Sequence, residues 1–471
     1  MSTDKDRQLQ LFEDQPQIIG AEPQRYVEVS VCTWNNKEDE FNDKPINSQE
    51  DLLEQILDRE NMRRAYCKVA GNKGASGVDE MTVDELDSYL KDNYDALISR
   101  LLAGKYKPKP VRRVEIPKQE KGKVRKLGIP TVLDRMIGQA IMQILTPIYE
   151  PLFSDNSFGF RPNRSTHDAL LRVKGYAKVG KVWAVSLDLE RFFDTVNQSK
   201  LIQLLGKQIK DGRIISLIHR FLMAGVMING VVIATEEGTV QGSPLSPLLA
   251  NIMLNELDHE LETRGHFFAR YGDDVLILKE THKAALRVKA SIIAFVEKKL
   301  FLKVNREKTT VAKLEQDVKY LGYGFYQRQG EWRFRVHPKS IVRLKDKIRL
   351  ITARSNGWAL DYRRYRLKSL VDGWVNYFKL ADMKYLLKST DEWCRRRIRA
   401  VYWKQWKLVR TKYRALVKLG VDKDQAWIWA NSRKAYWRTS LSWTLTTSLG
   451  NVRLKELGWT FFLDRYKQVS C

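Results

Sequence analysis

Four cysteines, six histidines and no long apolar run narrow the field before any motif is considered. Cys32, Cys67, Cys394 and Cys471 stand far apart and form no Cys-x-x-Cys pair. That indicates neither a disulfide framework nor a zinc site, and it fits a reducing compartment. The histidines show no His-Glu-x-x-His or similar ligand spacing, so they read as structural or solvated. No apolar run reaches the length of a membrane span, and the first residues resemble neither a signal peptide nor an Arg-rich transit peptide. The expectation is therefore a cytoplasmic protein with no membrane partner. The glycine-rich stretch Asn72-Lys73-Gly74-Ala75-Ser76-Gly77 lacks the Lys-Ser/Thr ending of a phosphate-binding P-loop. Acidic residues are also scarce: 56 face 82 Lys and Arg, a net charge of +26 over 471 residues. Such a surplus predicts a polyanionic partner, most simply nucleic acid.

The surplus is uneven. Residues 1–50 hold 5 basic against 11 acidic side chains, whereas residues 337–471 hold 31 against 10, with ten of the thirteen tryptophans. Residues 1–48 are acidic, poorly periodic and contain Pro16, Pro23 and Pro45, which predicts a flexible extension. Ser48-Gln49-Glu50-Asp51 reads as a capping box that opens a helix through about Lys68. Helical periodicity also covers 84–102, 134–145 and 282–299, while 105–126 alternates as a charged hairpin would.

Two stretches concentrate carboxylates. Phe267-Phe268-Ala269-Arg270-Tyr271-Gly272-Asp273-Asp274-Val275-Leu276-Ile277-Leu278 reads as a β-hairpin with two acids at its tip. Alone, Gly-Asp-Asp is more often a solvated turn than a metal site. In Trp183 to Asp188, alternation sets Trp183, Val185, Leu187 and Leu189 on one face and Ala184, Ser186 and Asp188 on the other. An acid ending an apolar strand is costly to bury unless paired or metal-bound, so Asp188 becomes a candidate partner for Asp273 and Asp274. Oxygen ligands on a tight turn suit Mg²⁺.

Taken in order, five motifs carry a resemblance. They are Asp188 with its aromatic followers, Gln241-Gly242-Ser243-Pro244-Leu245-Ser246-Pro247, Tyr271-Gly272-Asp273-Asp274, Asn305 to Lys308, and Leu321-Gly322-Tyr323. Together they resemble the reverse transcriptase–maturases encoded by bacterial group II introns. The likeness runs from about residue 50 nearly to the end. It includes Leu127-Gly128-Ile129-Pro130, residues 157–162, and Gly373-Trp374-Val375-Asn376-Tyr377-Phe378. Trp393-Cys394-Arg395-Arg396-Arg397-Ile398-Arg399 looks like the maturase (thumb) region.

The resemblance implies an α+β right-hand polymerase, with fingers and palm built on antiparallel sheet over 49–336. A helical thumb over 337–410 and a small basic nucleic-acid-binding domain over 411–471 would follow. Asp188 and Asp273 would hold two Mg²⁺ ions, with Mn²⁺ as a substitute; Asp274 would assist and the Leu189 carbonyl would be a further ligand. Arg125 matches the triphosphate-binding cation, supported by Lys123 or Lys126. Gln241 would lie against the incoming nucleotide and Lys308 near the leaving pyrophosphate. Phe193 stands where the family keeps a ring beneath the deoxyribose, and a ring there excludes a 2′-hydroxyl by bulk. Arg161, Arg395, Arg396 and Arg399 are candidate nucleic-acid contacts, the last three crowding one helix face.

Two departures from the family pattern matter. Gly272 replaces the family's usual Ala, a form common in RNA-dependent RNA polymerases, but those enzymes put an acid where Phe193 is, so the product is expected to be DNA. Lys126 replaces the proline usual before Leu-Gly-Ile-Pro, which leaves open which cation touches the triphosphate. No His/Cys-rich cluster is present, so no endonuclease domain is expected. The implied partners are an RNA template with a DNA or RNA primer, dNTPs, a group II intron RNA and target DNA. Two rival readings are a host-adapted intron-like reverse transcriptase in repair or phage defence, and a non-catalytic RNA-binding maturase. The intact aspartates argue against the second.

Overall fold

The computed structural model describes residues 51–470 apart from 118–123, 229, 235, 236, 241 and 317. The expected extension over 1–48, together with Ser48, lies outside the described residues. By internal contacts the chain divides into two compact units between Lys313 and Leu314.

The first unit opens with two helices where one was expected, Leu52–Leu57 and Arg59–Gly71. Asp58 causes the break. Its backbone is extended (ψ 137°), and its carboxylate accepts from the N–H groups of Glu60 and Asn61 as the cap of the second helix. The hairpin expected near 105–126 is present as β1 (Val111–Pro117) and β2 (Val124–Ile129). With β3 (Trp183–Leu187) the chain enters a second sheet. It returns to the first for β4 (Val226–Ile228) and β5 (Val231–Ile233), giving the order β2-β1-β4-β5 with β1 and β4 parallel. The second sheet is wholly antiparallel. It adds β6 (Phe267–Tyr271), β7 (Asp274–Lys279) and β8 (Thr310–Lys313) in the order β6-β7-β3-β8.

The face of that sheet bearing Val185, Leu187, Phe268, Val275 and Ile277 packs into the core with Leu254, Leu257 and Leu261 of the helix Ser246–Thr263. Alternation turns Ala184, Ser186, Leu276 and Leu278 to the other face. The helix His282–Lys299 has the bounds its periodicity predicts, and Thr281 caps it.

The second unit begins with the hairpin β9 (Tyr323–Arg328) and β10 (Glu331–Val336), followed by helices alone. Thus the contact division falls ahead of the boundary expected at 336/337. Tyr323 is fully buried, with its ring against Phe334, Tyr377 and Phe378. Gly322 suits its place beneath them chiefly through its φ of +80°, and a Cβ there would also crowd Phe378 at 3.2 Å. The aromatics near the end of the helix Lys384–Gln405 are core: Tyr402 and Trp403 are buried, and Trp406 packs on both. No helix among the described residues is long and apolar enough to cross a membrane.

Candidate active site

The β6–β7 hairpin turns through Gly272 and Asp273, with Tyr271 opposite Asp274. Gly272 has φ +62°, which a side-chain-bearing residue adopts at a cost, and a Cβ there would stand 2.9 Å from the Phe160 ring. Glycine at this position therefore answers to a close neighbour, whatever the chemistry. Asp273 and Asp274 are exposed and Asp188 is half-buried.

β3 and β7 pair with Leu187 opposite Val275. One further step of that register sets Asp188 across from Asp274, on the face away from the helix-packed core. Directly opposed residues have Cβ atoms about 4.5–5.5 Å apart. The next residue, Leu189, forms an antiparallel bridge with Val304. The flanking bonds run from Asn305 N–H to the Asp188 carbonyl (2.9 Å) and from Glu190 N–H to the Lys303 carbonyl (2.8 Å). Alternation then turns the Leu189 carbonyl the other way, toward the hairpin tip. The donor set gathered at one sheet end is all oxygen, which suits a hard divalent cation. Among the described residues no three His, Cys, Asp or Glu side chains converge ready-made on a metal. Further ligands would have to be a main-chain oxygen and the substrate's own phosphates.

Lys308 is exposed within the turn from Asn305 to Thr309 that clasps Asp188, so it lies in this neighbourhood. Phe193 is half-buried in a short helical turn, Phe192–Thr195. The Thr239 N–H donates to its carbonyl at 2.6 Å and the Gly238 N–H to the Val196 carbonyl at 2.7 Å. Gly238 (φ +91°) fits because a Cβ would meet the Phe193 and Asp194 carbonyls at 2.9 Å. On the far side of the same segment, a Cβ at Gly242 would lie 2.4 Å from the Gly128 carbonyl on β2. The flanks of position 241 are thus wedged between the Phe193 turn and β2. Gln241 and Lys123 lie outside the described residues, as does the Arg125 side chain. Lys126 is exposed, on the same face of β2 as Gly128.

Arg161 has a different task from the expected one. Its side chain is only 3% exposed and is paired with Glu150 at 2.7 Å. It also donates to the Ser157 carbonyl at 2.9 Å, so it closes the 154–161 loop and presents nothing to a phosphate. The expected row of three arginines in the second unit also needs correction. Arg399 is buried and donates to the Leu449 carbonyl at 2.9 Å. Arg396 lies 3.7 Å from the Trp437 ring and donates to that residue's carbonyl, while Arg395 lies over Phe461 at 5.3 Å. Arg399 thus fastens the last helices to Lys384–Gln405 and drops out of the row, while Arg395 and Arg396 are half-exposed beside aromatic rings.

Sequence reasoning missed Arg270, Asp258 and Asn251. Arg270 and Asp258 are both fully buried and paired at 2.5 Å beneath the hairpin tip. The signal was legible: each is a lone charge on an otherwise apolar face, Arg270 beside Phe268 and Asp258 beside Leu254, Leu257 and Leu261. Opposite charges stranded this way are expected to pair.

A family model described as "Reverse transcriptase (RNA-dependent DNA polymerase)" matches residues 116–325, and one described as "Group II intron, maturase-specific domain" matches 341–420. The group II intron-encoded protein LtrA of Lactococcus lactis subsp. cremoris is 31% identical over 411 residues, covering 68% of each chain. Protein YkfC of Escherichia coli (strain K12) is 32% identical over 321 residues, covering 60% of this chain and 84% of its own. Among solved structures, a chain of the partial Cas6-RT-Cas1--Cas2 complex overlaps 52% of this chain and 42% of its own, at 21% identity and a TM-score of 0.34.

Proposed function

We propose a division of labour for this chain, which belongs to the group II intron-encoded reverse transcriptase–maturases. It is an RNA-directed DNA polymerase that also carries the family's maturase-specific domain. With those two domains come dependence on a divalent metal, an RNA template and the binding of intron RNA.

In our reading Asp188, Asp273, Asp274 and the Leu189 carbonyl hold two Mg²⁺ ions, for which Mn²⁺ can substitute. Metal bound there supplies positive charge to the attacking primer 3′-oxygen and to the leaving pyrophosphate of an in-line displacement. The chain's own residues do the positioning. Phe193 lies beneath the sugar of the dNTP and excludes a 2′-hydroxyl. Gln241 lies against the nucleotide, and Arg125, with Lys123 or Lys126, receives the triphosphate. Lys308 meets the leaving pyrophosphate. Fingers and palm occupy 49–336, the thumb 337–410 and a basic nucleic-acid-binding domain 411–471. The primer is DNA or RNA, target DNA is a further partner, and the protein works in the cytoplasm.

The observation that supports the catalytic assignment is the β3–β7 register, in which Leu187 faces Val275, the residues just before Asp188 and just after the Asp273-Asp274 turn. Primer extension on an RNA template tests it. Asp273→Asn is expected to lower the rate by about 10³-fold or more, on the scale lost when a preorganised charge-stabilising group is removed. The fold should survive, since one of two adjacent like charges is relieved. Extension near the wild-type rate would sink the assignment.

A further inference from the structure

Beneath the Gly272–Asp273 turn lies a buried polar network that the reading of Asp188, Asp273 and Asp274 leaves unused. The Arg270 guanidinium donates from Nε to both Asp258 oxygens (2.8 and 3.0 Å) and from Nη2 to Asp258 Oδ2 (2.5 Å). Its Nη1 donates to Asn251 Oδ1 (2.9 Å) and to the Gly272 carbonyl (3.1 Å). Asn251 in turn donates from Nδ2 to the Gly159 carbonyl (2.9 Å). The Arg270 main chain completes the link, its N–H bonded to the Asn156 carbonyl and its carbonyl to the Phe158 N–H, both at 2.8 Å. Gly159 is pressed so closely on the turn that a Cβ there would fall 2.2 Å from the Gly272 nitrogen.

Stability alone is a poor reason for this arrangement. A fully buried ion pair often contributes no more than well-packed apolar residues of the same volume. What apolar residues cannot do is donate to the Gly272 carbonyl. That carbonyl belongs to the central peptide of the turn. Gly272 has a positive φ and Asp273 does not, the pattern of a II′ turn. The related I′ turn differs mainly by a flip of that one peptide, and Asp tolerates the left-handed φ which the flip demands. A donor fixed below the carbonyl selects one of the two, and with it the direction of the Asp273 side chain.

We infer that Arg270, held by Asp258 and Asn251, is a positioning residue for DNA synthesis that locks the central peptide of the Gly272–Asp273 turn and binds the Gly159–Phe160 loop against it. The inference rests on the reading of Asp273 as a site carboxylate. It predicts a specific separation of stability from rate. Arg270→Lys keeps the charge near Asp258 but cannot span Asp258, Asn251 and Gly272 at once. The double variant Arg270→Met with Asp258→Leu removes both charges, so no buried charge is orphaned and only the neutral acceptors Asn251 Oδ1 and the Gly272 carbonyl lose this donor.

The experiment measures steady-state primer extension, melting temperature and hydrogen–deuterium exchange for wild type and both variants. The expected result is a kcat about 10- to 100-fold lower in both, the scale of a misplacement near 1 Å, with KM for dNTP within about twofold of wild type. Faster exchange should be confined to peptides covering 156–161 and 267–275. The double variant should melt no lower than Arg270→Lys and still be slow. Recovery of wild-type kcat in the double variant, or exchange rising evenly across residues 51–313, overturns the inference in favour of a merely structural pair. An active wild type beside fully active variants overturns this inference alone. A wild type that extends no primer overturns the polymerase reading and this inference with it.

Discussion

The side-chain oxygen of Thr309 accepts the backbone N–H of Asp188 at 3.2 Å, and Thr309 is 1% exposed. Its own carbonyl is held by Lys289 Nζ at 2.6 Å. With the Asn305 N–H on the Asp188 carbonyl, both main-chain groups of the aspartate are fixed by one turn. Thr309→Val keeps the shape and removes the acceptor. An unmade hydrogen bond of this kind costs about 1–3 kcal/mol, and a small displacement of Asp188 should lower kcat by roughly 10-fold or more. Thr309→Ser keeps the acceptor and should retain most of the rate. Single-turnover extension and melting curves on both variants check this; equal loss in Ser and Val would reassign Thr309 to packing.

Phe193 offers a cleaner steric test. Its carbonyl holds Thr239 through the main chain, so truncating the ring leaves that contact in place. Phe193→Val should open room beneath the sugar and reduce the preference for deoxynucleotides by about 10-fold or more. The measurement is the ratio of kcat/KM for dNTP and rNTP. A wild type that uses both equally would defeat the claim of a DNA product.

The second unit carries a pH-sensitive group. Asp391 is buried and accepts the N–H groups of Phe462 and Leu463, both at 2.9 Å, at the start of the last helix. Burial pushes its carboxyl up from 3.8 to about 6, against those two bonds. Between those values the folded chain binds more protons than the unfolded one, so this group's contribution to stability falls as pH rises from about 4 to 6 and is flat above. At about 1.4 kcal/mol per unit the swing is at most about 3 kcal/mol. Asp391→Asn should remove it. Subtracting the variant's denaturation midpoint from the wild type's at pH 4, 5, 6 and 7 isolates the effect, and a difference that does not change with pH refutes it.

What the sequence made legible followed from local rules. Alternation at Trp183 to Asp188 and at Phe267 to Leu278 identified both strands and the face bearing Asp188, and Gly272-Asp273 marked the turn. The break at Asp58 escaped because a strong cap inside a helical pattern competes with continuation. The Arg399 assignment went astray for a longer-range reason. An arginine on a basic helix reads as solvated until the Leu449 carbonyl, fifty residues on, is known to need its donor. Thr309 and Lys289 escaped for the same reason, since nothing near Asp188 in the chain announces its clasp.

The basic surplus of the second unit therefore has to be tested on other residues. Lys404, Lys407, Arg410 and Arg414 are exposed, and the last two are four apart on the helix Val409–Lys418. Replacing these four by Gln should weaken template–primer binding and flatten its dependence on salt. Each lost phosphate contact removes about 0.7–0.9 from the log–log slope, so the full set should remove up to about 3.6. Arg399→Gln should instead lower the melting temperature of the unit. An unchanged slope in the four-residue variant would reassign those charges to solubility.

The two activities should come apart. In a group II intron the RNA itself performs the splicing chemistry, so a helper protein needs only to favour the active RNA shape. A ligand that binds one shape better shifts the equilibrium by its differential affinity, and nothing catalytic is asked of it. The energy for that should come from the basic helices of the second unit, including Lys404, Lys407, Arg410 and Arg414. Asp273 and Asp274 are exposed on a turn of the first unit and carry the wrong sign for a phosphate contact. The double variant Asp273→Ala with Asp274→Ala is thus expected to synthesise no DNA yet to assist splicing at the wild-type level. Replacing the four exposed cations should damage both. The assay is splicing of the cognate intron at low Mg²⁺, where unaided RNA folds poorly, with each protein added in turn. If the aspartate variant binds the RNA normally and still fails to restore splicing, the functions are not separable. If wild type also fails, the maturase part of the proposal is wrong and the polymerase stands alone.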